Sequence, residues 1–270
     1  MELALHARHF IAVWLAFGVS SAAFAQGGPS HPVPVMGPAV ENVAARCEVP
    51  AEMLRLRHPL PRVARRLAEG KTLTVVALGS SSTEGVGASS PALAYPARLE
   101  AELHALFPHM AITVINRGVG GEEALQMYAR IERDVLAAEP DLMIWQAGVN
   151  SAIKDAPLEE FAETLSAGID LVKERGVDVM LLGPQNAPRY VNAPHRREYS
   201  DHLMLVSRMK EVPVFPRFRV MSHWQATGQI VAKDAIAADR LHMTDASYYC
   251  IANLLARMIA SADPAAAATR

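Results

Sequence analysis

Runs of apolar and β-branched residues alternate with helical patterns from residue 72 to near the end of the chain. Five of these runs are predicted to be strands, over residues 72–78, 111–115, 141–147, 178–182 and 212–215. The runs are nearly continuous, with little alternation of apolar and polar positions. That pattern is typical of strands buried on both faces of a parallel sheet.

Apolar residues between and after these strands recur at helical spacing. We predict five helices, over residues 91–107, 122–138, 157–175, 195–210 and 245–259, the second burying Leu125, Tyr128, Ile131, Val135 and Leu136. The alternation predicts a three-layer α/β/α sandwich, flavodoxin-like, with a mostly parallel five-stranded sheet. Ligands bind such sheets at the carboxyl ends of the strands.

Residues 1–25 have the pattern of a secretory signal peptide. An apolar run begins at Phe10 and ends in Ala23-Phe24-Ala25, a small-x-small cleavage pattern. A membrane anchor is the alternative, but the run is shorter than the span of about 20 apolar residues that a bilayer requires. We expect cleavage near Ala25, a secreted or periplasmic protein, and no stable membrane insertion afterwards.

The mature chain is predicted to have three parts. An N-terminal arm and lead-in helix occupy residues 26–70, one folded domain occupies 71–262, and a disordered tail occupies 263–270. The formal net charge is −2 and aromatic residues make up 6% of the chain. Neither property favours a nucleic-acid partner. The oligomeric state stays open.

Cys47 and Cys250 are the two cysteines of the chain. An oxidising compartment permits a disulfide between them, which would tie the arm to the last predicted helix. We expect this bridge; two buried free thiols are the alternative.

A serine-rich turn follows the first predicted strand, in Gly79-Ser80-Ser81-Ser82-Thr83-Glu84-Gly85. There, Ser81 would expose its hydroxyl and direct its backbone N–H into the cleft, as a nucleophile that also donates to an oxyanion does. A phosphate cradle or a flexible turn is the alternative. The turn is not a P-loop, because no Gly-Lys-Ser/Thr follows it.

Two further turns offer oxyanion donors. Gly121, in the segment from Asn116 to Gly121, follows the second strand, and Asn150 follows the third after Gly148. The glycine N–H and the asparagine amide can both donate to an oxyanion. Taken alone, Gly121 is better explained as a glycine turn that opens the next helix, and Asn150 as a helix or turn cap.

Asp239 and His242 form the decisive pair, three residues apart in one loop before the last helix. The spacing lets the carboxylate orient the imidazole, which then accepts the serine proton. His195 and His223 are weaker alternatives, placed in loops that could face the cleft. No residues have metal-ligand spacing, so we predict neither a metal nor a cofactor.

With these four motifs in order, the chain resembles the SGNH, or GDSL-type, serine hydrolase family over residues 72–259. The resemblance implies a nucleophile at Ser81, an acid and base at Asp239 and His242, and an oxyanion hole formed by Ser81, Gly121 and Asn150. The chain departs from the family pattern at Ser80 and Ser151, where the family usually has Asp. The α/β-hydrolase pattern fits less well, because Thr83 occupies its last glycine position.

The resemblance implies an exported serine esterase without a cofactor. We expect a small-molecule or polysaccharide ester as substrate, with a short acyl group such as O-acetyl on a carbohydrate. A lysophospholipase, a thioesterase or an O-acyltransferase is the alternative within the family, and a non-catalytic carbohydrate-binding module is the alternative outside enzymes. Residues 189–197 are predicted to form a loop over the site, and Arg117 and Glu122 to be solvated helix-start residues.

Overall fold

Five strands, all parallel, form the centre of the fold in the computed structural model, which describes residues 47–263 and 265. The strands are β1 (Leu73–Gly79), β2 (Ile112–Gly118), β3 (Leu142–Gln146), β4 (Asp178–Leu182) and β5 (Val214–Phe215). Their order in the sheet is β2-β1-β3-β4-β5. The predicted fold class is confirmed. The predicted signal peptide and residues 26–46 lie outside the described residues, as does the predicted tail apart from residues 263 and 265.

Burial explains the continuous apolar runs. Every residue of β3 and of β4 is buried, and in β1 only Thr74 is partly exposed. The edge strand β2 alternates at its start, with Ile112 and Val114 buried and Thr113 exposed. The three central strands therefore have helices on both faces, as in other parallel sheets.

Twelve α-helices occur in the described part of the chain. They are α1 (Pro61–Ala68), α2 (Ser81–Glu84), α3 (Tyr95–Leu106), α4 (Ala124–Tyr128), α5 (Ile131–Asp134), α6 (Val149–Lys154), α7 (Leu158–Glu174), α8 (Pro188–Val191), α9 (Arg196–Lys210), α10 (Arg217–Thr227), α11 (Ala232–Ala235) and α12 (Asp245–Ala260). Helix α3 packs against α12, and α7 packs against α9. Because the strand order reverses between β1 and β3, right-handed crossovers place these two pairs on opposite faces of the sheet.

The helix predicted over 122–138 is wrong as a single element. The chain instead forms α4, α5 and a 3-10 turn (Leu136–Ala138), with a break at Arg130. Ala124 and Met127 are buried in α4, whereas Leu125 is 48% exposed. Arg130 turns inward to bond strand-end carbonyls, and this long-range contact overrides the helical period.

Helix α10 is an element that the sequence prediction lacks. It buries Val220, Met221 and Trp224, whose spacing is helical. His223, predicted to be in a loop, therefore lies on this helix. The segment predicted as a loop over 189–197 is also partly helical, since it includes most of α8 and the start of α9.

A disulfide joins Cys47 to Cys250, as predicted, with 5.1 Å between the two Cα atoms. Both residues are buried. The Cys47 carbonyl also accepts a hydrogen bond from Trp224 Nε1 at 3.3 Å. The bridge spans 203 residues of sequence, and it fixes the segment before α1 to α12.

Replacing both cysteines with serine should lower the melting temperature, because the unfolded chain gains the entropy of a long open loop. The chain-entropy relation gives roughly 4–5 kcal/mol, or on the order of 10 °C for a domain of this size. Thermal unfolding followed by circular dichroism measures the difference. A reductant should lower the melting temperature of the wild type and leave the double variant unchanged. A double variant within about 2 °C of the oxidised wild type would contradict the prediction.

Candidate active site

Ser81 lies at the carboxyl end of β1, where the chain turns into α2. The side chain of Gln146, the last residue of β3, fixes this turn. The Gln146 Oε1 atom accepts hydrogen bonds from the backbone N–H of Ser80 at 3.0 Å and from its hydroxyl at 3.1 Å. Thr83 Oγ1 donates to the same oxygen at 3.3 Å. Ser80, which stands where the resembled family has Asp, therefore positions the turn through neutral hydrogen bonds.

Ser81 and His242 are hydrogen-bonded. The distance from Ser81 Oγ to His242 Nε2 is 2.7 Å. The other ring nitrogen, Nδ1, bonds to Asp239 Oδ2. The structure thus brings the three predicted residues into one chain of hydrogen bonds across 161 positions of sequence. A histidine held this way presents its Nε2 to the hydroxyl as a base.

The Asp239 carboxylate organises its own loop as well as the imidazole. Its Oδ1 accepts the backbone N–H of Leu241 at 2.9 Å and of His242 at 3.0 Å. Partial burial opposes ionisation, but the hydrogen bond from the His242 ring and these two backbone bonds outweigh it and lower the Asp239 pKa to about 2. Asp239 is therefore ionised at neutral pH, as the partner of an imidazolium must be.

A close backbone approach holds His242 against the segment that follows α2. Gly87 has φ of +93°, and a Cβ atom there would lie 2.9 Å from the Cβ of His242. Tyr248 donates its hydroxyl to the Val86 carbonyl at 2.7 Å, and Ser89 donates its backbone N–H to Asp245 at 2.8 Å. The first turn of α12 thus fixes the segment from Val86 to Ser89, which lies against His242.

The loop that carries the predicted oxyanion donor Gly121 borders Ser81, since a Cβ atom placed on Gly120 would lie 3.9 Å from the Ser81 Cβ. Gly121 has φ of +79°, which favours glycine. Asn150, the other predicted donor, donates one of its two amide hydrogens to the Glu122 carbonyl at 2.8 Å. Lys154 Nζ donates a hydrogen bond to the Gly121 carbonyl at 2.9 Å.

Arg130 is a residue of this site that the sequence analysis missed. It is 6% exposed, and its Nη2 donates to the carbonyl of Gly79 at 3.1 Å and of Arg117 at 2.9 Å. It also forms ion pairs with Glu122 at 2.7 Å and Asp134 at 2.9 Å. One guanidinium therefore joins the ends of β1 and β2 to the loop that carries Gly121. An arginine after a short amphipathic helix gives no local signal of such a role.

The remaining predictions for side chains near the site have mixed outcomes. The prediction for Glu122 is wrong, because its carboxylate is only 18% exposed and pairs with Arg130. Arg117 is exposed, as predicted, although it lies in β2 rather than at a helix start. His195 occupies the N-cap position of α9 with a side chain that is 63% exposed, and His223 lies within α10. His242 is therefore the histidine that contacts Ser81.

Two further features concern the described residues as a whole. No group of three or more His, Cys, Asp or Glu side chains in residues 47–263 and 265 is placed to hold a metal ion. No helix in the same range is both long and apolar enough to cross a membrane.

Comparison with known proteins shows the family to which the chain belongs. Residues 46–263 match the sequence profile of the non-GDSL lipase-like family. The match covers most of the chain. The chain belongs to the non-GDSL lipase-like family. The family name agrees with Gly79-Ser80-Ser81-Ser82, which differs from Gly-Asp-Ser-Leu at its second and fourth positions.

Individual relatives agree with this assignment. An acetylxylan esterase of Geobacillus stearothermophilus is 24% identical over 192 residues, covering 67% of this chain and 88% of that protein. A two-domain esterase active on acetylated mannans has a solved structure with a TM-score of 0.66 and 26% identity. That likeness covers 80% of this chain and 57% of the two-domain protein.

A third relative supports the fold. A lipolytic protein of the G-D-S-L family from Desulfitobacterium hafniense has a TM-score of 0.56 at 21% identity, covering 68% of this chain and 98% of the other. Together, the family match and these relatives confirm that the chain is an SGNH-type hydrolase, as its four motifs indicated.

Substitutions around the oxyanion loop should lower kcat in a graded series. Asn150→Ala removes a predicted oxyanion donor and should lower kcat by about 10²–10³. Arg130→Gln loosens the loop without removing a donor, and should lower kcat by about ten- to a hundredfold with little change in KM. Steady-state kinetics on p-nitrophenyl acetate measures both.

Arg133→Gln is the matched control for Arg130→Gln. Arg133 also pairs with Asp134, at 2.7 Å, but its side chain is 76% exposed and has no contact with the strand ends. Its kcat should stay within about twofold of wild type. If Arg130→Gln fails to fold, Arg130→Lys, which keeps the positive charge, replaces it in the comparison of kcat values. Equal kcat values for folded Arg130 and Arg133 variants would remove Arg130 from the site.

Proposed function

We propose that the protein is a serine esterase that hydrolyses short-chain carboxylic esters, with O-acetyl groups on a carbohydrate as the substrate class. The observation that carries this proposal is the 2.7 Å hydrogen bond between Ser81 Oγ and His242 Nε2, continued from Nδ1 to Asp239. A non-catalytic binding module would not need a hydroxyl, an imidazole and an ionised carboxylate aligned in this order.

Acylation begins when Ser81 Oγ attacks the ester carbonyl and His242 Nε2 takes the hydroxyl proton. The carbonyl oxygen becomes an oxyanion, which the N–H groups of Ser81 and Gly121 and the Asn150 amide stabilise. Asp239 stabilises the imidazolium across Nδ1. As the tetrahedral intermediate collapses, the bond to the alcohol oxygen breaks, and His242 returns the proton to that oxygen.

Deacylation repeats these steps with water. His242 takes a proton from a water molecule, whose oxygen attacks the acyl carbonyl of Ser81. The second oxyanion lies in the same donor set. The bond to Ser81 Oγ then breaks, the serine recovers its proton from His242, and the carboxylic acid leaves.

The acyl group and the alcohol are proposed from the relatives. One relative is an acetylxylan esterase and another acts on acetylated mannans, and both are esterases of acetylated carbohydrates by name. In the described residues, Ser81 is only partly exposed and the glycine-rich loop lies against it, which favours a small acyl group over a long chain.

We propose, in addition, that residues 1–25 are removed on export, that the folded hydrolase domain is 71–262, and that the mature protein is secreted or periplasmic. The buried disulfide supports an oxidising compartment. Intact mass spectrometry of the protein recovered from the cell envelope or medium tests cleavage. We expect a chain starting near Gln26; a mass that includes residues 1–25 would contradict it.

Ser81→Ala and His242→Ala should each lower kcat on p-nitrophenyl acetate by at least about 10³-fold. His223→Ala is the matched control, since it removes a histidine from α10 that has no hydrogen bond to Ser81. It should retain full activity. Wild-type turnover in folded Ser81→Ala would mean that Ser81 is not the nucleophile.

The same assay with longer acyl groups tests the substrate class. We expect kcat/KM to fall from the acetyl to the octanoyl ester, and acetylated xylan or mannan oligosaccharides to release acetate. A steady rise in kcat/KM toward octanoyl would favour a lipid substrate instead.

A further inference from the structure

A cavity of about 310 Å³ lies beyond the ends of β4 and β5, away from the catalytic residues. Gly183 and Pro184 form one wall, and the first turn of α10 and the first two turns of α9 form the others. The half-buried ring of Phe218 is part of the lining. A cavity of this size accommodates a sugar ring with its substituents.

The charge on the cavity wall is strongly unbalanced. Four arginines contribute to it (Arg196, Arg197, Arg217 and Arg219), against the single carboxylate of Asp201. In the described part of the chain, none of these five side chains is in an ion pair. A concave wall with one sign of charge concentrates the field and attracts ions of the opposite sign.

Arg217 strengthens this field from behind the wall. It is fully buried, and its Nε donates to the Gly183 carbonyl at 2.8 Å. Its two Nη atoms have no hydrogen-bond partner among the described residues. Burial lowers the Arg217 pKa to about 10, so the guanidinium stays charged at neutral pH.

The positive charge continues into a neighbouring cavity of about 270 Å³, which shares Arg219 with the first. Its lining adds three arginines, Arg55, Arg57 and Arg208, and one carboxylate, Glu52. We call the two cavities together the arginine groove. A ligand that occupies both cavities meets positive charge in each of them, so the groove suits a ligand with more than one negative charge along its length.

The arginine groove is connected to the catalytic loop. Gln185 directly follows the wall residues Gly183 and Pro184, and its Nε2 donates to the Leu241 carbonyl at 3.1 Å. Leu241 lies between Asp239 and His242 in sequence. Since β4 is parallel to β1, the wall formed by Gly183 and Pro184 lies at the same edge of the sheet as Ser81.

We propose that the arginine groove binds an acidic glycan, a carbohydrate chain whose sugar rings carry carboxylate groups. The inference rests on the proposed function, which it deepens by naming the charge of the polymer. Guanidinium groups match carboxylates geometrically. The apolar part of the wall, which includes Leu203, Met204 and the half-buried Phe218, provides a surface on which the C–H groups of a sugar ring can pack.

Isothermal titration calorimetry with trigalacturonate tests the proposal, using the Ser81→Ala protein so that turnover does not interfere. We expect binding that weakens as salt is raised from about 50 to about 200 mM, because the contacts are charged. Arg197→Gln/Arg219→Gln should weaken it at least about tenfold. The methyl ester of the same trimer, which lacks the charges, should bind at least about tenfold more weakly than the acid.

Arg133→Gln/Arg175→Gln is the control, with the same change in net charge at exposed positions away from the groove. It should bind the trimer like the parent protein. The proposal is overturned by absent binding, by equal weakening in both double variants, or by equal affinity for acid and methyl ester. Arginine-dependent binding to phosphatidylglycerol vesicles without binding of the trimer also overturns it. Because binding is measured without turnover, the result does not depend on whether the protein is an esterase.

Discussion

Parallel pairing of strands buried on both faces is the constraint from which the site follows. The register aligns Gly79 with Gly118 and Leu78 with Trp145, so the chain leaves three neighbouring strands at one edge. Three turns that are far apart in sequence therefore meet around Ser81. The loop with Asp239 and His242 comes from beyond the last strand, and it is held by the segment after β4, through Gln185 Nε2 to Leu241 O and Arg189 N to Arg240 O.

The ends of buried strands leave polar groups that water cannot reach, and the chain satisfies them with side chains that also shape the site. Gln146 Oε1 accepts three hydrogen bonds from Ser80 and Thr83, on either side of Ser81, and Arg130 donates to the carbonyls of Gly79 and Arg117. Unpaired, each group would cost about 1–3 kcal/mol. The requirement to satisfy the strand ends and the requirement to fix the nucleophile are thus met by the same residues.

Local patterns predicted what depends on local interactions. The five strands were found within two residues of their bounds at nearly every end, because burial on both faces leaves a continuous apolar run. The break at Arg130 could not be predicted, since its acceptors lie 13 and 51 residues away. Helix α10 could have been found from Val220, Met221 and Trp224. The contact of Ser81 with His242 and Asp239 was predictable because His242 and Asp239 share one short motif and because the four motifs resemble a known family, whereas the supporting side chains have no motif.

The net charge of a chain says little about how charge is distributed, because it sums positive and negative groups over the whole surface. Several charges near Ser81 have partners: Asp239 with His242, Arg130 with Glu122 and Asp134, Lys154 with Glu123. Such pairs fix geometry and leave little field for a ligand. The arginine groove has the opposite arrangement, with unpaired guanidinium groups at an edge of a chain whose formal net charge is −2. Acidic residues must then be in excess elsewhere, so the molecule separates its charge, and that separation gives a polyanion a preferred direction of approach.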